Sequence, residues 1–157
     1  MVRYFSLLFS VLALLGCAES SAPSDQAVIE LTLQCDKNQE RCSGTYQSTD
    51  YELVLSNPSL PALEPLNFVF SASQAEPQNS DQQQSIKISE AWFEGRDMFM
   101  GEHKLSFEHS SAGSMLEGII PVCVTGAEMV WRLNIVFEQG GDSLRAHADL
   151  SSLAAHQ

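Results

Sequence analysis

Sulfur-containing side chains are concentrated in the second half of the chain, where four of them are candidate ligands for a soft metal ion. These four are Met98, Met100, Cys123 and Met129. Thioether and thiolate sulfur bind Cu(I) in preference to harder ions. On a strand, Met98 and Met100 would point to the same side and offer two sulfurs together. The favoured interpretation is that these methionines pack in an apolar core and that the protein has no cofactor, with Cu(I) as the alternative.

The most specific motif lies near the amino terminus, where residues 14–17 are Leu-Leu-Gly-Cys. The charged side chain of Arg3 precedes a run of about 12 apolar residues, 4–15, that leads into this motif. A helix that spans a bilayer needs roughly 20 apolar residues. The run is therefore too short to cross a membrane and is typical of a cleaved leader.

This amino-terminal segment resembles the signal peptides of bacterial lipoproteins. The resemblance implies that residues 1–16 are removed and that Cys17 carries palmitate-type acyl chains on its sulfur and its new amino group. Several such chains, at about 0.8 kcal/mol per buried methylene, would hold the protein stably on a membrane. Ala18 stands where an aspartate would favour the inner membrane, so we expect the outer membrane, with the domain facing the periplasm.

Three cysteines remain after Cys17, and in an oxidising compartment two of them are expected to pair. Cys35 and Cys42 are separated by six polar residues that suit a loop between two strands. A disulfide between them would stabilise the fold by about 2–3 kcal/mol. The alternatives are a bridge from Cys123 to either of them, or three free thiols.

The charge balance argues against several classes of partner. The chain has 20 acidic and 8 basic residues, and only Arg3 among the basic ones lies in the leader, so the mature chain would carry a net charge of −13. Such a surface repels nucleic acid and anionic lipid headgroups. Membrane attachment is therefore expected to come from the lipid on Cys17 rather than from a basic patch.

Composition divides the mature chain into a tether and one domain. Residues 17–26 contain little that could be buried, which is typical of a flexible tether. Residues 27–157 are long enough for a single domain with a sizeable core. A second polar stretch, residues 71–85, contains five glutamines and predicts a long exposed loop.

Apolar and polar residues alternate at period two along most of the domain, which indicates strands rather than helices. The clearest case is residues 129–137, followed by Gly140 and Gly141 and a second alternating run at 144–150, which together predict a hairpin. The pattern favours an all-β fold, a single immunoglobulin-like β-sandwich of about seven to nine short strands. A small barrel is the alternative.

Residues 92–101, Trp-Phe-Glu-Gly-Arg-Asp-Met-Phe-Met-Gly, are followed by a cysteine and then by Glu-Met-Val-Trp-Arg-Leu at 128–133. The region around them, residues 86–137, resembles small periplasmic β-sandwich proteins of the FixH/YtkA-like kind. The resemblance implies a single immunoglobulin-like module with an accessory role in cytochrome oxidase assembly and copper supply. In such a module Met98, Met100, Cys123 and Met129 would be the ligand positions.

The chain lacks the motifs of the common enzyme classes, since it has no Gly-x-Ser-x-Gly, no His-Glu-x-x-His, no phosphate-binding glycine loop and no Cys-x-x-Cys. We expect a non-enzymatic, lipid-anchored accessory lipoprotein that binds another envelope protein. The alternative is a copper-handling accessory module linked to respiratory oxidase assembly. Trp92 and Trp131 are expected to pack in the sheets, with stacking on a sugar as their alternative role.

Overall fold

The computed structural model describes residues 27–74, 86–110, 113–121 and 129–152. The predicted leader, tether and lipid-bearing Cys17 lie outside these residues. The strands in the described part of the chain are β1 (Ile29–Thr32), β2 (Gln34–Cys35), β3 (Arg41–Tyr46), β4 (Thr49–Leu55), β5 (Leu66–Gln74), β6 (Lys87–Gly95), β7 (Glu102–Lys104), β8 (Ser106–Ser110), β9 (Gly113–Gly118), β10 (Met129–Gln139) and β11 (Asp142–Ser152). The described residues include no helix long and apolar enough to span a membrane.

The strands form two sheets that pack face to face, which confirms the predicted all-β sandwich. A five-stranded sheet has the order β1-β11-β10-β6-β7, and a six-stranded sheet has the order β2-β3-β4-β5-β9-β8. Strands β5, β9 and β8 take the B, E and D positions of an immunoglobulin sandwich, and β6, β10 and β11 take the C, F and G positions. The strands outnumber the predicted seven to nine because Leu33 and Leu105 each divide one alternating run into two strands.

The core lies between the sheets and is built from the inward-facing residues of the alternating strands. On β10 the buried positions are every second residue: Met129, Trp131, Leu133, Ile135 and Phe137. Two edge-to-face aromatic contacts join the sheets. Phe70 meets Phe137 with ring centroids 5.3 Å apart, and Phe68 meets Phe93 at 5.5 Å, both edge to face. Each such pair adds about 0.5–1.5 kcal/mol beyond the burial of its apolar area.

The chain passes from one sheet to the other at Leu33. β1 belongs to the five-stranded sheet and β2 to the six-stranded sheet, while the Leu33 N–H donates a 2.8 Å hydrogen bond to the His147 carbonyl. The backbone passes so close to β3 here that a Cβ on Gly44 would lie 2.8 Å from the Thr32 carbonyl oxygen. Leu31 and Leu33 are both buried, so burial at every second residue continues across the change of sheet.

The β10–β11 hairpin forms as predicted. Gln139 and Asp142 are paired residues on either side of Gly140 and Gly141, whose φ angles are 61° and 95°. A two-residue turn with φ positive at both positions matches the right-handed twist of the strands, and glycine adopts it without steric cost. The longest strand pair in the described part of the chain is thus closed by a two-residue turn.

Two sequence expectations need correction. The loop predicted for residues 71–85 begins too early, because β5 continues to Gln74 with Ala72 packed in the core between outward-facing serines. The remainder of that loop lies outside the described residues. Met98 and Met100 are not on a strand, since β6 ends at Gly95 and β7 begins only at Glu102.

The two ends of the sandwich differ in the turns and loops that they contain. β1 runs parallel to β11 and begins with Ile29 opposite Leu144, so the chain joins the domain beside the β10–β11 turn. We call this the proximal end. The distal end is the opposite one, where β6 stops at Gly95 and β11 stops at Ser152. The loops 36–40, 56–65, 96–101 and 119–121 lie at the distal end.

Candidate functional site

The distal end carries four of the most exposed apolar side chains of the described chain. Phe99 is 79% exposed, Leu63 is 66% exposed, and Met98 and Ile119 are each 51% exposed. We call these four residues the apolar tips. Single exposed apolar residues are common on soluble proteins, whereas several at one end of a domain are typical of an interaction surface.

The loops that carry the apolar tips are held by backbone contacts. The Leu63 N–H donates a 3.0 Å hydrogen bond to the Ile120 carbonyl, which joins loop 56–65 to loop 119–121. The Arg96 N–H donates a 2.9 Å hydrogen bond to the Val130 carbonyl at the start of loop 96–101. The exposed side chains are therefore presented from anchored loops.

Gly95 explains how loop 96–101 folds back onto the sheet. A Cβ at this position would overlap the Met98 carbonyl and would lie 3.2 Å from the Met129 methyl carbon. Only a residue without a side chain permits this close approach of the backbone. The turn brings Met98 and Met129, which are distant in sequence, to the same part of the distal end.

The predicted copper ligands have different environments. Met98 is exposed, Met100 packs partly buried against the core, and Met129 is 4% exposed. Cys123 lies outside the described residues. Nearby, His103 Nε2 lies 3.0 Å from the Met100 carbonyl oxygen, and the imidazole ring meets the edge of Trp131 at 6.0 Å. Three methionines and one histidine therefore lie at the distal end, although Met129 also fills space in the core.

A cluster of His, Cys, Asp and Glu side chains that could hold a metal ion is not seen in the part of the chain that the structure describes. There, no three His, Cys, Asp or Glu side chains come close enough together to hold an ion.

The predicted disulfide is present between the first two strands of the six-stranded sheet. Cys35 and Cys42 are directly opposite one another on β2 and β3, with an S–S distance of 2.02 Å. Cys42 is fully buried and Cys35 is partly buried. The bridge fixes the start of the six-stranded sheet next to the place where the chain changes sheets.

The outer face of the five-stranded sheet carries most of the basic side chains of the described residues, and they are paired with carboxylates. Arg132 and Arg96 both bind Asp149, and Arg145 binds Glu30. The remaining pairs are Lys104 with Glu90 and Glu102, and Lys87 with Glu138. Because each cation already has an acidic neighbour, this face has little unbalanced positive charge with which to attract a ligand.

His147 lies within this network of ion pairs. Burial lowers the pKa of its imidazole below the usual value, and Arg132, Arg96 and Arg145 lower it further, against the opposing effect of Glu30. His147 Nε2 lies 3.0 Å from the Thr32 hydroxyl oxygen on β1. The neutral imidazole thus links the two neighbouring strands β11 and β1.

Neither tryptophan offers a free ring face. Trp131 is 1% exposed in the core, and Trp92 is 8% exposed on the outer face, where the side chains of Lys104 and Arg145 cover it. The packing role expected for both rings is confirmed.

Sequence reasoning did not single out Leu63, Phe99 or Ile119, whose only signal is an apolar residue within a segment rich in glycine, proline or polar residues.

Comparisons with known proteins identify no relative of this chain. No protein-family model, no characterised protein and no solved structure matches this chain.

Proposed function

We propose that this chain is a lipid-anchored, non-enzymatic accessory lipoprotein of the bacterial envelope that binds another envelope protein through its apolar tips. The leader and Cys17 support the lipid anchor, and Ala18 favours the outer membrane, with the domain in the periplasm. The single observation that carries the binding role is the grouping of Leu63, Met98, Phe99 and Ile119 at the distal end.

The geometry suits a protein that is held at one end and binds at the other. β11 has 11 residues, which corresponds to roughly 35 Å of strand between the proximal and distal ends. The ten-residue tether, 17–26, would reach at most about 35 Å when fully extended. A domain anchored through Cys17 can therefore present the apolar tips well away from the membrane surface.

The partner is expected to be a protein with an apolar surface rather than a polyanion. The chain as a whole has a net charge of −12, and the basic side chains of the outer sheet face are already paired. Binding must therefore depend on contacts between the apolar tips and apolar side chains of the partner. Exposed Phe and Met side chains supply adaptable apolar area at the centre of many interfaces.

The test compares two equally exposed methionines. Full-length protein is purified from membranes after chemical cross-linking in cells, and cross-linked partners are identified by mass spectrometry. The double variant M98S/F99S should lose the partner. M115S should keep it, because Met115 is 54% exposed but lies on the outer face of the six-stranded sheet, away from the apolar tips. A partner retained by M98S/F99S would contradict binding through the apolar tips.

The anchor has its own test. Cells grown with labelled palmitate should incorporate the label into the native chain and not into the variant C17S. The variant should also remain uncleaved, because the leader would lack its processing cysteine. A labelled C17S protein, or an unlabelled native chain, would contradict the anchor while leaving the apolar tips to be tested separately.

Copper handling linked to respiratory oxidase assembly is the second candidate function. The observation that favours it is the presence of Met98, Met100, Met129 and His103 at one end of the domain. Thioether sulfur with imidazole is a ligand set that suits Cu(I), and Cys123 would add a thiolate. Titration with Cu(I) against a competing chelator should give tighter binding for the native chain than for M98A/M100A. Equal affinities would exclude these two methionines as ligands.

A further inference from the structure

A cavity of about 340 Å³ opens at the proximal end, between two hairpin turns that belong to different sheets. One turn joins β3 to β4, and the other is the Gly140–Gly141 turn between β10 and β11. The volume of the cavity falls within the range of about 300–1,000 Å³ that is typical of small-molecule sites. The cavity lies at the opposite end of the sandwich from the apolar tips, so it is independent of the proposed binding role.

The floor of the cavity is apolar and rigid. Leu144 and the ring of Tyr51 are both buried there. The Tyr51 ring is stacked on Phe70 with centroids 6.1 Å apart and is tilted against Phe137 at 5.4 Å. These core contacts fix the floor of the cavity, and the accessible aromatic surface of the lining is supplied by the partly buried Tyr46.

One hydrogen-bonded chain joins the two sides of the cavity. The Tyr51 hydroxyl donates to Gln139 Oε1, and Gln139 Nε2 donates to the Thr49 hydroxyl at 3.4 Å. Burial raises the pKa of Tyr51 above its usual value, so its hydroxyl remains a donor throughout the neutral range. Gln139 is therefore held in place between the sheets, which fixes the shape of the cavity before any ligand arrives.

The rim of the cavity offers further polar groups. Gln47 Nε2 donates a 3.1 Å hydrogen bond to the Tyr46 hydroxyl, and the φ angle of 53° at Gln47 turns the chain back towards β4. Asp142 is exposed on the opposite side, next to the glycine turn. A tyrosine ring, a carboxamide and a carboxylate thus surround one opening.

These groups define the chemistry of a ligand. No basic side chain is among the described residues that line the cavity, and Asp142 contributes negative charge, so anions are disfavoured. A purely apolar ligand would cover the rim groups without giving them hydrogen bonds, which costs free energy. Hydroxyl groups both donate and accept, as the carboxamide and the tyrosine hydroxyl do, and the C–H face of a pyranose ring suits an aromatic side chain.

We infer that this cavity is a binding site for a small neutral saccharide. The sugar ring lies against Tyr46, and its hydroxyls bind Asp142 and the carboxamide of Gln47. An organic cation is the competing ligand, because aromatic rings together with a carboxylate also bind ammonium groups. The experiment separates the two.

The test is a nuclear magnetic resonance titration of the ¹⁵N-labelled full-length chain with glucose, N-acetylglucosamine and tetramethylammonium. The backbone signals of Gly140 and Gly141 should shift with either sugar at millimolar concentration and should not shift with tetramethylammonium. The variants Y46A and D142N should each weaken sugar binding by about fivefold or more, as expected for the loss of one such contact. The matched control F99A removes an exposed aromatic ring at the distal end and should bind as the native chain does.

Two results would overturn the inference. One is the absence of any sugar-dependent shift at Gly140 and Gly141 in a chain whose spectrum shows it to be folded. The other is a shift with tetramethylammonium that D142N abolishes, without a response to either sugar, because the cavity would then be a cation site.

Discussion

The Lys104 ammonium lies 4.8 Å from the centre of the Trp92 indole ring, and the Arg145 guanidinium carbon lies 5.7 Å from the same point. The two cations enclose a ring that would otherwise be open to water on the outer face of the five-stranded sheet. Trp92 Nε1 is buried without a hydrogen-bond partner among the described residues. The contribution of Trp92 to stability must therefore come from its ring and not from its N–H group.

This arrangement predicts different effects for two substitutions of Trp92. W92A should lower the free energy of unfolding by roughly 3 kcal/mol, because it removes a large buried ring. W92F should cost much less, since it keeps a ring for the cations and removes a buried donor that has no acceptor. Urea unfolding followed by circular dichroism measures both. Equal destabilisation by W92A and W92F would contradict this account of the site.

Removal of the disulfide should destabilise the fold without abolishing it. The bridge closes a short loop, because Cys35 and Cys42 are 7 positions apart, and the chain-entropy estimate for such a loop is about 2–3 kcal/mol. The double variant C35A/C42A should show a correspondingly lower free energy of unfolding in urea. Adding a reductant should lower the stability of the native chain and leave that of the double variant unchanged; the same response in both proteins would contradict the prediction.

Stability should decrease as the solution becomes mildly acidic, because of His147. Its pKa is lower in the folded state than in the unfolded chain, where the usual value is about 6.5. The unfolded chain therefore binds more protons, so the stability contributed by neutral His147 is fully present above about pH 6.5 and is lost as the pH falls towards the folded-state pKa. Thermal melts between neutral and mildly acidic pH should show this loss.

The variant H147Q isolates the effect. It should have a flatter dependence of melting temperature on pH in this window than the native chain. H109Q is the matched control, because His109 lies on β8 in the other sheet, and it should keep the native slope. An H147Q slope equal to the native one would assign the pH dependence to other groups.

Gly44 should tolerate no side chain. An alanine Cβ would come within 2.8 Å of the Thr32 carbonyl oxygen and 3.1 Å of a Leu33 methyl group, where the chain crosses between the sheets. G44A should therefore destabilise the protein by about 1–3 kcal/mol through overpacking. S43A, at the neighbouring exposed position, should change stability by less than about 0.5 kcal/mol. Chemical unfolding of the two variants tests the comparison.

The fold class was predictable because alternation at period two is strong on the central strands. The hairpin of β10 and β11 could be assigned from its two glycines and its alternating residues alone. The change of sheet at Leu33 could not be predicted, because Leu31 and Leu33 are buried on either side of it and the alternation is uninterrupted. Burial periodicity shows which side of a strand faces the core, but not which sheet the strand belongs to.

The candidate sites were less predictable, since they depend on residues that are distant in sequence. Met98 and Met100 follow the spacing of a strand, yet the tight packing at Gly95 places them in a loop. The cavity combines residues near Tyr46 with residues near Gln139, and no local pattern connects these two turns. Phe99 could be recognised as an apolar residue, but its 79% exposure is a property of the folded loop.

In the described part of the chain, the shortest strands are the edge strands of the two sheets. β1, β7, β2 and β8 have two to five residues each, whereas the strands inside the sheets have six to eleven. An unpaired edge can recruit a strand from another molecule, and the number of backbone hydrogen bonds on offer grows with its length. A short edge strand therefore offers a neighbouring copy few unpaired backbone N–H and C=O groups with which to extend the sheet. Amyloid-type growth from the folded state is thereby discouraged, even at the crowding that tethering to a surface would produce.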